Sequence, residues 1–90
     1  MEFEWDRQKA SLNLRKHGVS FREASTVFGD PLGEFFDDVD HSDYEERAIV
    51  LGQSDRGRLL VVSFTDRDGV ARLISARRAS RTERERYENG

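Results

Sequence analysis

The chain has no cysteine, so a disulfide framework and a thiolate zinc site are both excluded, and nothing in the composition points to an oxidising compartment. Long apolar runs are missing too. The longest, such as Leu59 to Val62, are four residues, far short of a membrane span, and the opening Met-Glu-Phe-Glu-Trp-Asp lacks a basic stretch followed by an apolar one. No internal repeat, low-complexity tract or linker divides the 90 residues, a length that suits one domain over 1–90. A cytoplasmic protein with no membrane association is the expectation.

Basic charge is absent where acid is dense. Residues 30–46 carry eight acids and no lysine or arginine, whereas residues 72–87 hold six arginines against two glutamates, a local +4 in a chain of net −3. That layout permits a basic site on an acidic protein, of pI about 5.4. In the basic stretch an apolar strand pattern, Leu73-Ile74-Ser75-Ala76, runs directly into Arg77 and Arg78. Ser80 with Glu83 three residues on is a capping box that starts a helix there. A strand-to-helix corner mounts guanidinium forks on a rigid sheet end, where they can grip phosphate or carboxylate.

The rest of the chain reads as alternating signals of strand and helix. Phe3 and Trp5 alternate with acids as a short strand, and Asp6 caps a helix to His17 that Gly18 ends. Ala10, Leu14 and His17 share one stripe of that helix. Ser20 and Glu23 open a second helix through Phe28, with Phe21, Ala24, Val27 and Phe28 as its buried positions, and Pro31 forbids its continuation. Strands are expected over Leu32–Phe36, Arg47–Gln53, Arg58–Thr65 and Val70–Ala76, the last three joined at hairpin spacing by Asp55-Arg56-Gly57 and Asp66-Arg67-Asp68-Gly69. Asp37 to Glu46 reads as an acidic loop. Leu59 to Val62 is apolar on both pleat faces, as a strand covered on both sides would be. The final helix, Arg81 to about Asn89, is nearly all polar, so it projects or depends on a partner. The order gives an α+β domain: a short strand, two helices, an antiparallel meander of three to four strands and a C-terminal helix.

Phe3-Glu4-Trp5-Asp6, Asn13 with Arg15-Lys16-His17-Gly18-Val19-Ser20-Phe21, Val27-Phe28 with Asp30-Pro31, Glu46-Arg47, and Ile74-Ser75-Ala76-Arg77-Arg78-Ala79 together resemble the BrnT family. The resemblance runs from Phe3 to Tyr87 in order. It implies a RelE-like fold and an RNA-cleaving toxin of a bacterial type II toxin–antitoxin pair. It also implies a ribbon-helix-helix antitoxin of BrnA type as partner, with operator DNA bound only through the toxin–antitoxin complex.

Cutting RNA without a metal needs a base for the 2′-hydroxyl proton, cationic donors for the phosphate and an acid for the leaving 5′-oxygen. Lys16, His17, Glu46, Arg47, Arg77 and Arg78 include residue types for each role. Histidine is the side chain that titrates near neutrality, which makes His17 the first candidate base and Glu46 its competitor. A structural reading stands beside each: a hydrogen-bonded histidine on an apolar stripe, and a Glu46–Arg47 ion pair of little worth if exposed. Arg77 and Arg78 are adjacent, so they point to opposite faces and one of them, with Arg77 preferred, meets the substrate, with loss of cleavage and little loss of fold expected on its removal. Arg81, Arg84 and Tyr87 are candidate RNA-binding residues, Tyr87 as a helix anchor or a base-stacking surface. No cofactor is expected. Asp37, Asp38, Asp40, His41 and Asp43 have the donor types for a cation but not the turn pattern of a calcium loop, and read as a solvated loop. The rival to an enzyme is a non-catalytic module using the same basic residues to bind an acidic partner or nucleic acid.

Overall fold

The computed structural model describes residues 1–38 and 46–90. Its elements are β1 (Glu2–Glu4), α1 (Arg7–His17), α2 (Phe21–Thr26) continued by a 3₁₀ turn (Val27–Gly29), β2 (Glu34–Asp37), β3 (Arg47–Gln53), β4 (Leu59–Arg67), β5 (Val70–Arg78) and α3 (Arg81–Asn89). Local chemistry explains the helix ends. The Asp6 carboxylate accepts from the backbone N–H groups of Gln8 and Lys9, and Gly18, at φ 69°, adopts the left-handed stop that a side chain would strain. Ser20 Oγ accepts from the Glu23 N–H, but the Glu23 carboxylate turns inward instead of closing a box. At Ser80 both halves of the box are present.

β2 to β5 form the antiparallel meander, and β1 joins the far side of β5 in parallel, giving the order β1-β5-β4-β3-β2. Helices α1 and α2 cover one face. There Val19, Phe21, Ala24 and Val27 pack against Val50, Leu60, Val62 and Leu73. On the other face Leu51, Leu59 and Val61 make a smaller cluster with Phe36, Ile49, Ala79 and Tyr87. Leu59 to Val62 is thus buried on both sides, as its unbroken apolar run predicts.

One bulge decides which way the arginines face. Ser63 pairs with Ser75 while Phe64 pairs with Leu73, so Ile74 is an extra residue in β5. Strict alternation from the buried Leu73 would send Arg77 to the helix side; the insertion returns Ala76 to that side and turns Arg77 to the opposite one, beside Val61.

Three expectations are corrected. Trp5 lies just outside β1, with only Phe3 of the pair in the strand. On α1 Leu14 is 51% exposed, and the inward position between Ala10 and His17 belongs to the buried Asn13, whose amide hydrogen bonds outweigh Leu14's apolarity. α3 does not project: it folds back onto the second face, held mostly by charged and aromatic contacts.

Candidate functional site

β1 stops at Glu4, opposite Arg72, so among the described residues no strand pairs with β5 on that side beyond this point. α1 takes over as the neighbour. The Asn13 side chain accepts from the Ala76 N–H (3.0 Å) and donates to the Ala76 carbonyl (2.8 Å), as a strand partner would, and donates again to the Val19 carbonyl (2.9 Å). This buried amide fixes the height of α1 along the sheet edge. Lys16 and His17, three and four residues on, are thereby set one turn further along, and together with Lys9, Leu12 and Asn13 of α1 they line a groove of about 270 Å³ with Ile74 and Ser75 of β5. His17 is half-buried and Lys16 exposed. The groove offers an imidazole and two ammonium groups beside a hydroxyl, a set able to move a proton and balance a phosphate.

The corner at the end of β5 is differently used. Arg77 donates through both terminal nitrogens to Glu83, at 2.8 Å each, so its fork is filled from within the chain. The same carboxylate accepts from the Ser80 N–H. These partners, Arg77 first, hold Glu83 at about 2, well below the usual carboxylate value, while Glu83 raises Arg77 in turn. Arg78 is exposed and falls on the helix side of the sheet opposite Leu60; Arg81 and Arg84 are exposed on α3, with Arg81 3.5 Å from Glu85.

Tyr87 is the far anchor of α3. Its hydroxyl donates to Asp30 at 2.6 Å, its ring packs on the Leu51, Leu59 and Val61 cluster, and the hydrogen bond to Asp30 pushes the phenol up to about 12. Burial raises the Asp30 carboxyl, but bonds from Tyr87 and from the backbones of Gln53 and Leu32 overcome this and keep it low. Between the two anchors the Arg86 guanidinium sits 4.3 Å above the Phe36 ring and 3.5 Å from Glu34.

The sequence candidates therefore divide. Lys16 and His17 share the groove; Arg77 and Tyr87 hold α3; Glu46, exposed, and Arg47 stand at the start of β3. Arg47 pairs across to Thr65 and Arg77 to Val61, four positions along β4 or about 13 Å. Among the described residues no three His, Asp or Glu side chains gather as metal ligands; Asp40, His41 and Asp43 lie outside them. Residue-type reasoning missed Asn13 and Asp30, and also Glu23, a 5% exposed carboxylate clamped by two Arg58 donors and the Ser54 hydroxyl. Arg58, leading these partners, lowers the Glu23 carboxyl, and it also donates to the Gly18 carbonyl, tying the end of α1 to the β3–β4 turn. For Asn13 and Asp30 the signal was their place in the resemblance; for Glu23 none was available beyond its capping-box position.

Comparison with known proteins follows the same lines. The family model described as the ribonuclease toxin, BrnT, of a type II toxin–antitoxin system matches residues 5–83. The chain belongs to the BrnT family. In fold it is similar to the ribonuclease toxin BrnT of Brucella abortus, whose crystal structure at 1.1 Å resolution superposes with a TM-score of 0.68 over 90% of this chain and 99% of that one, at 23% identity. No curated protein sequence matches it. As a BrnT chain it is a ribonuclease toxin with an antitoxin partner, and none of its described helices is long and apolar enough to cross a membrane.

Proposed function

We propose that this chain is an endoribonuclease that cuts RNA by metal-independent transesterification in the groove between α1 and the free edge of β5. The observation that supports this reading is the groove's lining, a half-buried imidazole with two lysines against an edge that ends in arginines. In the reaction His17 takes the 2′-hydroxyl proton, the 2′-oxygen attacks phosphorus, and the 5′-oxygen leaves with a proton returned from the imidazolium. Lys9 and Lys16 supply positive charge to the pentacoordinate phosphate. Products are a 2′,3′-cyclic phosphate and a 5′-hydroxyl. Arg78, Arg81 and Arg84 hold flanking phosphates around the corner. Glu46 and Arg47, which do not line the groove, and Arg77, engaged by Glu83, take no chemical step; Arg77 and Tyr87 position α3.

Membership of a type II toxin–antitoxin family supports the rest: a cytoplasmic toxin of RelE-like type, silenced by a ribbon-helix-helix antitoxin of BrnA type that covers the basic corner, the pair binding its operator. Incubating antitoxin-free protein with RNA in EDTA tests the reading. Cleavage with 2′,3′-cyclic phosphate ends is expected; cleavage that stops on chelation and returns with a divalent metal would overturn the metal-independent mechanism.

A further inference from the structure

Beyond α3, the sheet face opposite α1 and α2 carries a row across three strands. Arg47 of β3 pairs with Thr65 of β4, which pairs with Arg72 of β5, so all three side chains leave the sheet on the same side. That side is the one opposite α1 and α2, because Val61, two positions from Ser63 and four from Thr65, belongs to the second cluster while Val62 and Phe64 belong to the first. The next row holds Ser63 and Ser75. Thr65 is 3% exposed and its hydroxyl has no hydrogen-bond partner among the described residues. It is an unusual omission, since the other buried polar side chains among the described residues, Asn13, Glu23 and Ser54, are all bonded. Arg47 has no ion-pair or side-chain hydrogen-bond partner among the described residues, and Arg72 has only Glu4 at 3.8 Å. Both arginines are half-buried, so their flexible stems can swing the guanidinium groups onto a ligand and open the hydroxyl to it.

A buried hydroxyl lacking an acceptor, set between two cations about 10 Å apart across neighbouring strands, is complementary to one tetrahedral anion. We infer that Arg47, Thr65 and Arg72 form a phosphate-binding row that holds a backbone phosphodiester of RNA away from the cleavage groove. Ser75 belongs to the adjacent row and also lines the groove, so a strand held at the row is led over the edge of β5 towards His17. The choice of RNA rests on the ribonuclease reading; the anion site itself does not.

The test uses a 2′-O-methyl RNA oligonucleotide, which cannot undergo transesterification, so binding is read without turnover. Arg47→Ala and Arg72→Ala are each expected to weaken binding roughly tenfold, and to flatten the slope of log affinity against log salt by about 0.7, the loss of one phosphate contact on a single strand. Thr65→Val is expected to weaken binding several-fold while leaving the melting temperature unchanged or higher, because it removes an unpaired buried hydroxyl; Thr65→Ser restores binding. Wild-type affinity and salt slope in all three folded variants would overturn the row. Inorganic phosphate binding that needs Arg47 and Arg72 but is not displaced by the oligonucleotide would make the ligand a free phosphate and overturn the RNA assignment. Failure of the groove reading looks different: a His17→Ala protein that still cleaves leaves these binding results untouched.

Discussion

The two faces of this sheet are finished to different standards. On the helix side the polar groups that had to be buried are matched: Asn13 makes three hydrogen bonds, and Glu23 is met by Arg58 and Ser54. On the other side α3 contributes Tyr87 to the apolar cluster and is fastened by Arg77–Glu83, Arg86–Glu34 and Tyr87–Asp30, beyond which Thr65 has no hydrogen-bond partner among the described residues. A face meant only to fold closes its hydrogen-bond account, whereas a face kept open for a charged ligand leaves donors waiting. The stability of the domain is therefore expected to reside on the helix side.

The largest effect should come from the buried carboxylate. Arg58→Ala strands Glu23 in the interior and is expected to cost about 3 to 5 kcal/mol in urea unfolding; a loss below 1 kcal/mol would erase the contrast between the faces. Next comes Asn13→Ala, which orphans both backbone groups of Ala76 and the Val19 carbonyl and is expected to cost about 3 kcal/mol. Asn13→Asp should be no better, since a carboxylate cannot donate to either carbonyl.

Smaller effects are expected at α3. Glu83 is held at about 2, below the ordinary glutamate value of 4.5, so its contribution is full above about 4.5 and drains away as pH falls towards 2. The pair is 44% and 30% exposed at the side chains, so solvent screening reduces it to roughly 1 kcal/mol. Protection factors of α3 amides, with the intrinsic pH dependence of exchange divided out, should fall over that pH window in the wild type and be already low, and less dependent on pH there, in Arg77→Ala. Tyr87→Phe should cost about 1 kcal/mol. The phenol is raised from 10 to about 12, so its contribution holds below pH 10 and is lost as pH climbs through 12; an ultraviolet titration should lose its late tyrosine in the variant.

Much of this was legible in the residues, because caps and turns are written locally: Asp6, Gly18, Ser20, Ser80 and the hairpin turns gave helix starts and strand limits close to those observed. What escaped depends on distant partners. The docking of α3 needs Asp30, Glu34 and Phe36, some fifty residues earlier, and no period in α3 announces them. The side taken by Arg77 hangs on a one-residue bulge at Ile74, which alternation cannot foresee. Asn13 reads as a polar surface residue until the unpaired edge of β5 supplies its partners. Of the candidate site, Lys16 and His17 came together as adjacent residues must, while Arg47 lies on β3, two strands away from the β5 side of the groove and four positions along β4 from the partner of Arg77.

The most direct test sets the groove against the arginine clamp in single-turnover RNA cleavage at saturating protein, with circular dichroism confirming the fold. His17→Ala should lower the rate by about 10² to 10⁴-fold and abolish the acidic limb of the pH–rate profile. Arg77→Ala, corrected for any unfolded fraction, should cleave at close to the wild-type rate. A folded His17→Ala protein with wild-type turnover, or an Arg77→Ala protein that is folded but inactive, would contradict the placement of the chemistry at the α1–β5 edge.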